Sequence, residues 1–514
     1  MTKNFLKLFI ILLCSTIIAC WRGFVSVPEW QTPPCVVPNC IKTATANKTG
    51  LEQKLFEFDF TTTNQGPIFY ITNKPSWLNM DSINTKIYGM PTSAGTFSNI
   101  KISIYDGTNT EEIGPFDLTI TGDPFAKEAW HLNNTGQKSY SSGAGIADED
   151  INILDALALG YTGLGVRVAV SDTGVEIAHE DLTDNILSGE SRDYRLPVSP
   201  WLGDPTPTDP AEGHGTSVAG LIAAKGWNSK GSRGVAPNAQ FASFYFLDPS
   251  ITFATYIDQA SGNFDIFNYS YGLHQCTIVP IDDLYLAQLK YGVENYRGGK
   301  GAIYIKAAGN NYIDNILYSD CTPNPSVCTY PYYFGNANFD GDNTSPYIIT
   351  VGATNASGTI TSYSTPGSNI WVSAPGGEYG IKSPAMITTD MSGCDMGLSV
   401  SANKSNSFES GSSPNSGCNY TSTMNGTSSA TPVTSGVAAL ILEANNLLSW
   451  RDVKHILASS AKIIDPSSGN TNHPSGFNLS GYTYQQGWVT NAAGYKFHNK
   501  YGFGRVDAGA AVTM

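Results

Sequence analysis

Two patterns of apolar positions divide the chain near residue 122. From Leu51 to about Thr121, apolar and polar residues alternate in short runs: Phe56-Glu-Phe-Asp-Phe60, Ile68-Phe-Tyr-Ile71, Ile100-Lys-Ile-Ser-Ile-Tyr105 and Phe116-Asp-Leu-Thr-Ile120. Period-two runs between turn residues predict strands with one buried face, and four or more in about 70 residues predict a small β-sandwich. Beyond Asp123 the runs become continuously apolar, at 166–171, 241–247, 264–268, 302–307, 348–351 and 370–373. They alternate with helical patterns at 151–159, 217–224, 283–292, 434–445 and 450–459. Strands buried on both faces, alternating with helices, predict an α/β fold with a parallel sheet covered on both sides. The expected domains are therefore an all-β sandwich over 51–121 and an α/β domain over 123–514.

The first fifty residues have a different character. Met1–Lys7 is basic, Leu8–Ala19 is apolar, and the run ends in Ile17-Ile-Ala-Cys20. Its length suits a signal sequence rather than a spanning helix. The end of the run resembles the bacterial lipobox, which implies cleavage after residue 19 and acylation of Cys20; a plain signal peptide with an incidental cysteine, or a signal anchor, is the competing reading. Trp21 rather than Asp follows Cys20, which favours sorting to an outer membrane or cell surface. Residues 20–50, rich in Pro, Thr and Asn, read as a tether.

Four segments of the α/β region carry candidate chemistry. Asn425-Gly-Thr-Ser428-Ser-Ala-Thr-Pro432 precedes an apolar run, so Ser428 falls at a helix N-terminus, where unpaired N–H groups favour developing negative charge. The strand Val166–Ser171 delivers Asp172, and Gly213-His214-Gly215 opens a small-residue helix. The run Ala302–Ala308 ends in Gly309-Asn310. An Asp, a His and a Ser suffice to activate a hydroxyl nucleophile, and an Asn amide can donate to the oxyanion that results.

The order Asp…His…Ser resembles the subtilisin-like serine proteases, over about residues 123–509. Asp123-Pro-Phe…Trp130-His-Leu-Asn-Asn-Thr-Gly-Gln137, Ser270-Tyr-Gly272, Asn338-Phe-Asp-Gly341, Val372–Gly377 and Tyr501–Asp507 are similar to the kexin/furin type and its bacterial relatives. The resemblance implies Asp172, His214 and Ser428 as a catalytic triad hydrolysing peptide bonds, with Asn310 as oxyanion donor. It implies Ser270 and Gly272 along the substrate and Asp340 facing a basic P1 side chain, although an Asn-Phe-Asp-Gly turn explains Asp340 equally. Gln275 and Thr173 replace the acidic companions of the kexin type, so dibasic selection is not expected. It also implies a structural Ca2+ held by Asp150, Asp181 and Asn228 with carbonyls of Lys225, Lys230 and Ser232; Gln275 and Thr365 argue against a second site. Pro75-Ser-Trp-Leu78…Tyr88-Gly-Met-Pro-Thr92 resembles Ig-like modules of bacterial surface proteins. That module stands where secreted relatives carry an inhibitory pro-segment, and neither a pro-segment nor a β-rich P domain after residue 509 is expected.

Composition narrows the partners. Of 514 residues only 14% are charged, and the net charge of −14 argues against nucleic acid or an anionic membrane as partner. Beyond Cys14 and Cys20, the spacing of the cysteines suggests disulfides Cys35–Cys40, Cys321–Cys328 and Cys394–Cys418, with Cys276 left over. The expected function is a lipid-anchored serine endopeptidase acting on proteins or peptides with some preference for basic P1 residues. The alternative is an inert surface-binding or adhesion protein using the Ig-like domain.

Overall fold

The computed structural model describes residues 46–514 apart from 61–67, 106, 109, 274–276, 313–334, 403–404, 471–479 and 484. Cys14, Cys20, Cys35, Cys40, Gln275, Cys276, Cys321 and Cys328 lie outside the described residues.

Residues 48–121 form two small sheets. β1 (Lys48–Leu51), β2 (Phe56–Asp59), β3 (Ile68–Thr72), β4 (Asn79–Asp81), β5 (Lys86–Gly89), β6 (Gly95–Tyr105) and β7 (Thr110–Thr121) assemble as β1-β7-β6-β3 and β2-β5-β4. The two sheets share one core, with Phe56, Leu78 and Ile87 from one side and Ile100, Ile102, Ile113, Phe116, Leu118 and Ile120 from the other. β1 begins inside the segment expected to be a tether. Lys-Thr-Gly-Leu has no alternation to announce it, and it is a strand because it pairs in parallel with β7.

The α/β region is built on β8 (Arg167–Asp172), β9 (Arg192–Asp193), β10 (Gln240–Tyr245), β11 (Ile266–Tyr269), β12 (Ile303–Ala307), β13 (Ile348–Thr354) and β14 (Ile370–Pro375). Their order is β14-β13-β12-β11-β8-β10-β9, and every pairing is parallel. The helices are α1 (Ile153–Ala158), α2 (His214–Ala223), α3 (Phe253–Asp258), α4 (Asp283–Gly299), α5 (Thr427–Ala444), α6 (Trp450–Ser460) and α7 (Ala508–Thr513). Helix α5 is buried from Thr427 to Leu442, so it runs through the core instead of capping it. A hairpin of β15 (Met386–Thr389) and β16 (Tyr420–Met424) leads into α5, and Cys394–Cys418 closes its loop as expected from the cysteine spacing.

A buried ionic cluster joins the two regions. Arg233 pairs with Asp123 at 3.0 Å and with Glu52 at 3.4 Å, and all three side chains are almost fully buried. Trp227 Nε1 donates to the Glu52 carbonyl (2.7 Å), so the loop after α2 grips the turn after β1.

Candidate active site

β8 carries its apolar run into the core and ends on Asp172, which is fully buried. Asp172 Oδ1 accepts from His214 Nδ1 at 2.7 Å and from the Thr173 N–H at 2.8 Å. The close approach of α2 to the end of β8 requires a glycine: a Cβ on Gly215 would lie 2.1 Å from the Gly174 carbonyl oxygen and 3.1 Å from Asp172 Cβ. Burial opposes charge on His214, whose side chain keeps about a third of its surface exposed; the field and hydrogen bond of Asp172 outweigh that and raise the imidazole above its ordinary value.

Ser428 is the second residue of α5, so its N–H has no acceptor within the helix. Gly426 before it adopts φ 109°, a conformation that glycine alone takes without strain. The Ser428 hydroxyl donates to the Ser270 carbonyl (2.9 Å) in this resting arrangement, not to His214. Asn310 Oδ1 accepts from the Thr427 N–H (2.8 Å) and hydroxyl (2.9 Å), and its Nδ2 has no acceptor among the described residues. Thr173, His214, Ser270, Gly272, Asn310 and Ser428 line one cleft of about 430 Å3. The sheet thus brings together all four residues singled out for chemistry and the two placed along the substrate.

Residues 163–504 match the Subtilase family, well over half of the chain. The chain belongs to the subtilase family. It is 39% identical to the Aeromonas extracellular serine protease of Aeromonas sobria over 411 residues, 76% of this chain and 64% of the relative. It is 30% identical to neuroendocrine convertase 2 of Rattus norvegicus over 415 residues, 78% of this chain and 54% of the relative. It therefore spans less than two thirds of the length of either. The crystal structure of the Aeromonas sobria serine protease in complex with a chaperone superposes with a TM-score of 0.68 at 36% identity, covering 77% of this chain and 67% of the other.

In this subtilase the Asp340 carboxylate is fully engaged, in part by the turn role that its Asn-Phe-Asp-Gly setting equally allowed. Lys306, on β12, reaches its Oδ2 at 2.5 Å, and the Leu273 N–H donates to the same oxygen at 3.0 Å. Oδ1 accepts from the Asp342 N–H at 3.1 Å. Sequence reasoning missed Lys306, although a lysine inside an apolar strand run is buried only when paired.

The residues named for calcium separate into two places. Asp181 Oδ1 accepts from Asn228 Nδ2 at 2.7 Å, and its backbone carbonyl accepts the Lys225 N–H at 2.8 Å. Asn228 Oδ1 accepts the Lys230 N–H at 3.0 Å. Asp181 Oδ2 and Ser232 Oγ are buried with no hydrogen-bond partner among the described residues. Burial, aided by the charge of Asp123, pushes the Asp181 carboxyl up to about 8 against the Asn228 hydrogen bond. Asp150 is not part of this group: its oxygens accept from the Asn134 and Asn152 N–H groups, both at 2.7 Å, and its charged neighbours are Arg505 and Lys462. That carboxylate ties the turn before α1 to the backbone at Asn134. Asp123 takes the place expected for it, accepting from the Trp227 N–H (2.9 Å) and Asn228 N–H (3.1 Å). Among the described residues no group of three or more His, Cys, Asp or Glu side chains gathers as a metal site. An all-oxygen set with an orphaned carboxylate oxygen suits Ca2+ when carbonyls complete the shell.

Proposed function

We propose that this subtilase is an exported serine endopeptidase. The observation that carries the reading is the convergence of the Asp172–His214 pair, Ser428 at the start of α5 and the free amide of Asn310 on one cleft. A substrate carbonyl entering that cleft displaces the Ser428 hydroxyl from the Ser270 carbonyl and turns it toward His214. His214 takes its proton as Oγ attacks, Asp172 steadies the imidazolium, and His214 returns the proton to the leaving amine. The oxyanion receives hydrogen bonds from Asn310 Nδ2 and the Ser428 N–H. Purified protein should hydrolyse a denatured protein substrate and Ser428→Ala should not; equal hydrolysis by both would refute the reading.

Structural calcium fits beside Asp181 and Asn228, with carbonyls from the 225–232 loop and Asp123 close by. It would neutralise a buried carboxylate and stiffen that loop, and no chemical step passes through it. Export and a lipid anchor at Cys20 are proposed from the Ile17–Cys20 motif, which places the enzyme at an outer membrane or cell surface; radiolabelled palmitate that still enters Cys20→Ser would rule the anchor out. The β-rich residues 51–121 are proposed as an Ig-like module next to the 123–514 catalytic domain. The chaperone bound to the Aeromonas relative supports a separate folding partner here. Asp340 offers a basic P1 residue no free charge, because Lys306 already holds that carboxylate.

A further inference from the structure

A P1 side chain lies next to the scissile carbonyl, whose oxygen faces Asn310, so it descends between the segment after β11 and the end of β12. Gly272, Leu273 and Ala307 line that part of the cleft. Directly behind them sits an ion pair the cleft does not expose. A Cβ on Gly272 would lie 3.3 Å from Asp340 Oδ2, 3.7 Å from Lys306 Nζ and 3.8 Å from the Ala307 carbonyl oxygen. The Lys306 and Asp340 side chains are 1% and 4% exposed, and Nζ also lies 5.4 Å from the centre of the Tyr271 ring.

We propose that the Lys306–Asp340 pair closes the floor of the P1 pocket and makes Lys306 its specificity-determining residue, so that neutral P1 side chains are favoured over Arg and Lys. The inference rests on the endopeptidase reading above. A basic P1 group gains from Asp340 only by displacing Lys306, which would leave a buried ammonium without its counter-ion, a costly state. Among the described residues Asp342, the acid two positions on, does not substitute. Asp342 is buried and its oxygens accept from the Tyr256 hydroxyl at 2.9 and 3.1 Å. Burial keeps its carboxyl above the ordinary range even with Lys306 close by. Lys306 stands four residues before Asn310, so the segment that delivers the oxyanion donor also delivers the ammonium that silences Asp340.

The test is kcat/KM on peptides differing only at P1 (Arg, Lys, Leu, Gln), with fluorophosphonate labelling of Ser428 as the measure of folded enzyme. The wild-type Arg-to-Leu ratio is expected below one. Lys306→Met frees Asp340 and should raise that ratio by about 10- to 100-fold, the range of one charge-assisted hydrogen bond. The double variant Lys306→Met/Asp340→Asn replaces the pair by neutral groups of similar shape and should return the ratio to within about threefold of wild type. If Lys306→Met alone does not fold, the double variant decides. A wild-type ratio above one, a Lys306→Met ratio that does not rise in folded enzyme, or a fall of tenfold or more in the double variant would overturn the proposal by showing that Asp340 already reads P1 charge or never does. Failure of the endopeptidase reading looks different: no labelling and no cleavage at any P1 residue, which overturns both.

Discussion

His214 shows how one contact sets a working range. Its imidazole has to be neutral to accept the Ser428 proton, and Asp172 at 2.7 Å raises its pKa above the ordinary 6.5 by favouring the charged form. A raised pKa moves the protonated, inactive form to higher pH. The acid limb of kcat/KM should therefore have its midpoint above 6.5, and Asp172→Asn should move that midpoint down while cutting kcat by about 10^4-fold. A pH profile with its midpoint unchanged in Asp172→Asn would show that the carboxylate does not govern the base. Lys306 teaches the same lesson in reverse. Asp340 sits in a motif that resembles an acidic pocket, yet Lys306, reaching it from β12, decides what it can offer.

At the scale of elements, α2 carries His214 and α5 carries Ser428, and both are packed closely against their neighbours. Gly220 of α2 faces β15, where a Cβ would lie 2.1 Å from Thr389 Oγ1 and 2.4 Å from Thr388 Oγ1. Gly220→Ala should cost about 1–3 kcal/mol as an overpacked contact. It should also lower kcat, because the shifted helix carries His214 away from Asp172; a variant with reduced Tm and unchanged kcat would separate the two roles. Most of these elements were legible in the sequence. Parallel strands buried on both faces announce themselves as apolar runs: β8, β10, β11, β12 and β14 lie within two residues of expectation at either end, and β13 runs three residues further, to Thr354. The apolar pattern alone marks α5 only from 434, whereas the turn before Ser428 puts its N-terminus at that serine; the helix runs from Thr427, through a first stretch of mainly Thr, Ser, Ala and Pro that carries no helical periodicity. Asp172, His214 and Ser428, the proposed triad, stood out because glycines and apolar runs frame each of them. The calcium-type ligands were less so: Asp150 and Asp123 are both acidic residues beside turns, and only the folded loop at 225–232 separates them.

Across the whole molecule the β-rich residues are fastened to the α/β domain by charge. Replacing Arg233 by Met would leave Glu52 and Asp123 as buried carboxylates without a cation, a loss of about 3–5 kcal/mol by analogy with broken buried pairs. A thermal scan should show a large drop in Tm; an unchanged Tm would mean the cluster is not what joins the two regions. The Asp181 loop lies against the same cluster, since Trp227 and Asn228 donate to Asp123. Tm should rise on adding Ca2+ to EDTA-treated protein, and Asp181→Asn should abolish that rise; a full response in the variant would move the site elsewhere. The central claim, that the cleft at Ser428 is a working serine-protease centre, is tested most directly by fluorophosphonate labelling with peptide mapping. The account predicts a single adduct on Ser428, absent in Ser428→Ala and much slowed in His214→Ala, with Asn310→Ala labelled but turning over roughly a hundredfold or more slowly. No adduct on native, folded protein, or an adduct that persists in Ser428→Ala, would contradict it.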